Sequence, residues 1–183
     1  NITQSSFTDQ RATRGSVVQG KSTGPESILT LNMANVPILR STATKEGGAL
    51  NLLSTANGSV TLDLKDMDIT DTQSITDGGV IYAEAQMAGS YMLISTDCNF
   101  TNNQALLGGA LALAAKDGAK LTWVSGDSFT NNLATEGGSI FVRNDGATLS
   151  INTISVEVNN STATHGSGGY LHYESNGGVS DEV

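Results

Sequence analysis

The sequence predicts an all-β fold, a right-handed parallel β-helix of about six rungs with ~30 residues and three short strands per rung. Three observations lead there: a glycine turn that recurs at a fixed period, an apolar column locked to that turn, and two-residue alternation beside it. Glycine-led turns begin at Gly15, Gly47, Gly78, Gly108, Gly137 and Gly168, a nearly constant spacing along the chain. Five of the six are pairs: Gly47-Gly48, Gly78-Gly79, Gly108-Gly109, Gly137-Gly138 and Gly168-Gly169.

The first strand of each unit follows the glycine turn. The third residue after each leading glycine is Val18, Leu50, Ile81, Leu111, Ile140 or Leu171, apolar in every unit and suited to one buried column. The next position reads Gln19, Asn51, Tyr82, Ala112, Phe141 and His172, the mixture expected of a solvent face. A second glycine turn follows at Gly24, Gly58, Gly89, Gly118, Gly146 and Gly178, and most units then carry another alternating run such as VTLDL, KLTWV or TLSIN. The third run ends in an apolar residue ahead of the next glycine pair, at Phe7, Leu39, Ile69, Phe100, Phe129 and Val158. A unit this short cannot bury an apolar face alone, so equivalent units must stack in parallel and share one core. A β-sandwich gives no reason for equal columns at this period. The glycines and the period-two patterns exclude an α-solenoid.

Composition agrees and narrows the function classes. The 183 residues include 21 Gly, 41 Ser plus Thr and only 2 Pro, and read as a single β-helix domain over 1–183. Nine basic against 18 acidic residues leave a net charge of -9, which repels phosphate backbones and anionic lipid, so no nucleic acid is expected as partner. The longest nearly unbroken apolar stretch, 105–115, is too short to span a bilayer, and membrane insertion is not expected. One cysteine, Cys98, rules out an internal disulfide framework.

The paired motifs resemble those of the chlamydial-type polymorphic outer-membrane proteins, a family marked by GGA-aliphatic and F-x-x-N tetrapeptides. GGAL occurs at Gly47–Leu50 and Gly108–Leu111, and FTNN at Phe100–Asn103 and Phe129–Asn132, each FTNN at the same distance ahead of its glycine pair. GGVI, GGSI and GGYL are looser copies, and FTDQ at Phe7–Gln10 departs at the Asn position. The resemblance implies a β-helical protein that is secreted or displayed on the cell surface, as the adhesive passenger of an autotransporter is. The membrane barrel of such a protein has no counterpart in this sequence.

Neither end reads as a polar cap. NITQSSFTDQ looks like a third run without its predecessor, and GGVSDEV stops just past a second glycine turn. Counting from Gly178 across a join of Val183 to Asn1 as far as Phe7 gives the same interval that separates Gly146 from Val158 inside the chain. The expectation is self-association, the C-terminal rungs of one copy continuing head to tail into the N-terminal rungs of the next. At ~4.8 Å per rung, six rungs advance about 29 Å.

Candidate sites are few. N-x-Ser/Thr sequons begin at Asn1, Asn57, Asn99, Asn159 and Asn160 and are candidate positions for covalent glycans. Asn103, Asn132 and Asn160 are assigned to equivalent turns, where side-chain amides stack into a structural ladder. Cys98 and Trp123 are assigned to the core. Asp63, Asp66 and Asp68 alternate with apolar residues near Ser95, Thr96 and Asp97, an acidic patch without the partners polysaccharide cleavage needs. His165 and His172 match no zinc-ligand spacing, so neither metal nor cofactor is expected. Together these features predict a non-enzymatic extracellular structural protein, a β-helical element of a surface fibril or matrix. An adhesin using Tyr82 and Phe141, or a polysaccharide-degrading enzyme using Asp66 or Asp68, are the alternatives.

Overall fold

In a computed structural model the chain winds into a parallel β-helix, described here for residues 2–3 and 5–176 and, in backbone only, for 180–182. Among the described residues there is no helix. The strand after each glycine turn joins a six-stranded sheet made of Val18–Thr23, Leu50–Thr55, Ile81–Gln86, Leu111–Lys116, Ile140–Asp145 and Leu171–Asn176. Each pairs in parallel with its equivalents one rung away, Leu50 against Ile81 and Ile81 against Leu111. Second and third runs share an eleven-stranded sheet, because in two rungs they fuse into single strands, Ser90–Thr101 and Lys120–Thr130. The three runs per rung are joined by a fourth, two-residue strand such as Thr42–Ala43 or Leu133–Ala134, which forms the short third wall.

Each position of the motif has a physical task. The leading glycine has positive φ, +63° at Gly78, where a Cβ would stand 2.0 Å from the Ile81 carbonyl oxygen. Its partner is glycine for a different reason: a Cβ at Gly79 would stand 1.9 Å from the Gly109 carbonyl oxygen in the next rung. The following Ala110 and Leu111 are fully buried. In FTNN, Phe100 and Phe129 stack at 4.9 Å and 9° inside the core. Asn102 and Asn131 take positive φ, as do their counterparts Asp9, Arg40, Asp71 and Asn160. Short Asn and Asp side chains tolerate that region best, which accounts for all of these but Arg40.

Two details differ from the sequence reading. Ile69 and Phe7 pair with Ile38 rather than Leu39, so Ile38 fills the core column and Leu39 lies one position past it. The column beside the leading apolar residue points away from the core, yet Asn51, Ala112 and Phe141 are buried. The loops that precede the glycine pairs fold over it, a covering that alternation within a strand does not reveal.

At the glycine corner four consecutive amides donate in one direction along the axis. Gly47 N bonds Asp77 O at 2.8 Å, Gly48 N bonds Gly78 O at 3.0 Å, and Ala49 N and Leu50 N both bond Val80 O at 2.9 Å. The next rung repeats this from Gly78 to Ile81.

Opposite this corner the glycine-bearing turns reverse the chain tightly, and the Gln86–Gly89 turn places Met87 and Ala88 at φ +49° and +56°. Ala88 is exposed. Non-glycine residues pay about 1–2 kcal/mol there, partly offset by the greater freedom of glycine in the unfolded chain. Ala88→Gly is therefore expected to stabilise the fold by about 0.5–1 kcal/mol, read as a raised urea midpoint with unchanged slope.

Candidate functional site

The loops before the glycine pairs stand as a ridge along the outer face of the six-stranded sheet, and the two enclose a groove parallel to the helix axis. A cavity of about 550 Å³ along it is lined by Arg14, Glu46, Gln19, Asn51, Tyr82 and Glu84 among others. Tyr82 donates to Glu84 Oε2 at 3.1 Å, and burial, reinforced by that carboxylate, pushes its phenol up. Phe141 is only 3% exposed, sits 5.3 Å from the His172 ring and carries the Arg143 guanidinium over its face at 5.2 Å. The exposed aromatic pair expected of an adhesin is thus half-covered at Tyr82 and covered at Phe141. Burial also raises the Asp77 carboxyl, and the Glu46 charge adds to that rise.

The asparagine ladder forms at two of its three assigned positions. Asn103 Oδ1 accepts from Thr72 N at 3.0 Å and Thr72 Oγ1 at 2.8 Å, while its Nδ2 donates to Ile69 O at 3.2 Å. Asn132 Oδ1 accepts from Asn103 N at 3.0 Å and Asn103 Nδ2 at 3.1 Å, and Asn132 Nδ2 donates to Phe100 O at 2.9 Å. Asn160 is not a member. Thr130 pairs with Asn159, which puts Ser161 in the ladder frame and Asn160 at the exposed positive-φ position. The ladder ends there through a 2.6 Å contact between the Ser139 and Ser161 hydroxyls.

Four of the five sequon asparagines are exposed or lie in exposed turns: Asn57 in a tight turn, Asn99 with Nδ2 donating to Asp68 Oδ1 at 2.8 Å, and Asn159 and Asn160 in succession. Asn1 and Gly178 lie outside the described residues. Asp63 pairs with Ile94, Asp66 occupies a positive-φ turn, and Asp68 faces Asn99, so the three carboxylates do not converge.

Cys98 and Trp123 are both buried. Burial, with the Asp127 carboxylate beside it, pushes the Cys98 thiol up to about 12. Asp127 itself was not singled out by its sequence context. It fills an inward position that Met67 and Cys98 occupy in the rungs before, beneath the register shift at 97–98. Its Oδ1 accepts from Cys98 N at 3.1 Å, and its Oδ2 from Ser95 Oγ at 2.5 Å and Ser125 Oγ at 2.6 Å. Burial outweighs these bonds and raises its carboxyl above the usual range. A raised acid favours the folded state below the unfolded carboxyl pKa, about 4, and that contribution is lost as pH rises through the folded value. Asp127→Asn is expected to remove this loss, so urea unfolding followed from about pH 4 to about pH 7 shows the variant gaining on the wild type as pH rises.

The structure also joins three groups that the sequence reading left apart: Glu136 on the ridge, and His172 and Glu174 on the groove floor of the next rung, with one donor atom from each within 4.8 Å of the others. The two floor residues follow Glu136 by one rung plus a few positions, an offset visible only once the rungs are aligned.

Comparison with family models, with curated proteins and with solved structures finds no match for this chain. The resemblance to the polymorphic outer-membrane proteins rests on the tetrapeptides alone.

Proposed function

We propose that this chain is a non-enzymatic structural element of an extracellular fibril or matrix, built by end-to-end stacking of β-helical rungs. The observation that carries the reading is ladder continuity. Rungs of nearly equal length pair with their neighbours in the two large sheets, and the long strands shift register by a single residue at two places, between Thr96 and Asn99 and between Ser125 and Ser128. Such regularity serves load and length, since every inner rung is held by backbone bonds on both sides.

The ladder frame runs unbroken in one sense through the described chain. Ile2 pairs with Met33, while Glu182 pairs with Ser150, which traces down the ladder through Thr122, Met92 and Thr61 to Thr30. Exposed sequons and an acidic, Ser/Thr-rich exterior suit a surface that stays in water and resists lateral clumping. Electron microscopy and fibre diffraction of the purified protein test the reading. Filaments with a meridional repeat near ~4.8 Å are expected. Isolated short rods at every concentration would overturn it and favour the adhesin.

A further inference from the structure

We infer that Glu136, His172 and Glu174 form a binding site for a divalent transition metal of the zinc class, bridging two rungs across the groove. The inference goes beyond the structural role and does not depend on it.

Two positions on one strand and one on a loop build the donor set. His172 and Glu174 are two apart in Leu171–Asn176, so both side chains rise from the same outer face. Glu136 comes from the preceding rung, on the ridge just ahead of Gly137, where its carbonyl accepts from Gly108 N at 3.0 Å. His172 Nδ1 lies 3.4 Å from Glu136 Oε2, and Nε2 lies 3.6 Å from Glu174 Oε1.

The second observation concerns the imidazole itself. His172 Nδ1 is shut off from solvent and has no hydrogen-bond partner, although a carboxylate oxygen stands 3.4 Å away. A buried ring nitrogen left without a bond is costly, and a shared cation satisfies it together with the carboxylate. Tetrahedral zinc with bonds of about 2.0–2.2 Å sets its donors about 3.4 Å apart, which is the spacing of Nδ1 and Oε2. Glu174 Oε1 lies beside Nε2, at the other edge of the ring, and joins an ion on Nδ1 by swinging towards it, for which a side chain at 34% exposure has room.

Neighbouring groups position each donor. The His172 ring leans on Phe141 at 46°. Arg143 Nε holds Glu174 Oε2 at 3.0 Å and leaves Oε1 for the ion. Gly166 makes space for Glu136, since a Cβ there would stand 2.1 Å from Glu136 Cγ. At the two floor positions other rungs place Asn51 and Leu53, Tyr82 and Glu84, or Ala112 and Ala114, and none of these pairs supplies an imidazole. Among the described residues this is the one group of three close ligating side chains. A nitrogen donor beside two carboxylates selects zinc-class ions over calcium and magnesium, which take oxygen ligands.

The test uses the full chain without a histidine tag, stripped with chelator and titrated with zinc chloride by calorimetry, with native mass spectrometry for stoichiometry. One zinc per chain is expected, uncompeted by excess calcium or magnesium. His172→Gln and Glu136→Gln should each weaken binding by about tenfold or more, and Gly166→Ala, which removes no ligand, by about tenfold through displacement of Glu136. His165→Gln should bind like the wild type. Urea midpoints of the apo variants establish that each is folded. Should His172→Gln not fold, Glu136→Gln on the loop carries the test. No zinc binding by the wild type, equal affinity in folded His172→Gln or Glu136→Gln, or full competition by calcium would overturn the assignment.

Discussion

Gly79→Ala is expected to prevent the fold from forming. The added Cβ would stand 1.9 Å from the Gly109 carbonyl oxygen, 2.8 Å from Gln104 O and 2.9 Å from Gln104 N, all backbone atoms of the next rung. No rotamer relieves such a contact, because the atoms it meets belong to the ladder itself. The rungs must separate at this corner, and the bond from Gly79 N to Gly108 O at 3.1 Å goes with them. Backbone displacement at a close-packed position belongs among the few mechanisms that cost more than about 4 kcal/mol. Gly169→Ala is the control. Its added Cβ finds Ser161 O at 3.5 Å, an ordinary contact, so circular dichroism and urea unfolding should show Gly169→Ala folded and Gly79→Ala not.

Asn103→Ala should be the costliest loss of a polar side chain. Its loss leaves Thr72 N without its side-chain acceptor and takes a donor from Ile69 O and from Asn132 Oδ1, while the Thr72 hydroxyl keeps Gly79 O at 2.8 Å. The side chains of Asn103, Thr72 and Asn132 are sealed from solvent, so no water replaces the amide. An orphaned buried donor costs about 1–3 kcal/mol, and with the cavity the sum is about 3–5 kcal/mol. Asn160→Ala removes an exposed asparagine at positive φ and should cost about 1 kcal/mol. Equal losses in the two variants, measured by urea unfolding, would show that the ladder bonds contribute little beyond turn geometry.

The architecture was legible because its signals are periodic. Gly-Gly pairs, the Leu50 to Ile140 column and the phenylalanines repeat often enough that chance substitutions do not hide them. Errors of a single position arose where the repeat is degenerate: VNNS offers two adjacent asparagines for one ladder place, and Ile38-Leu39 two aliphatics for one core place. The covered groove was illegible for another reason, since alternation reports which way a side chain points and not what lies above it. Glu136, His172 and Glu174 meet only through stacking, and rungs of unequal length blur the spacing that would have linked them.

The four amides that leave each glycine corner all point along the axis in the same sense, from Gly47–Leu50 into the next rung and from Gly78–Ile81 into the one after. Partial charges arranged this way do not cancel, much as peptide dipoles accumulate in a helix. One end of the stack therefore offers donors at this corner and the other end acceptors. If such units stack as proposed, the filament would have a direction: like ends would face donor to donor or acceptor to acceptor, unlike ends would complement each other, and growth at one tip would differ in kind from growth at the other.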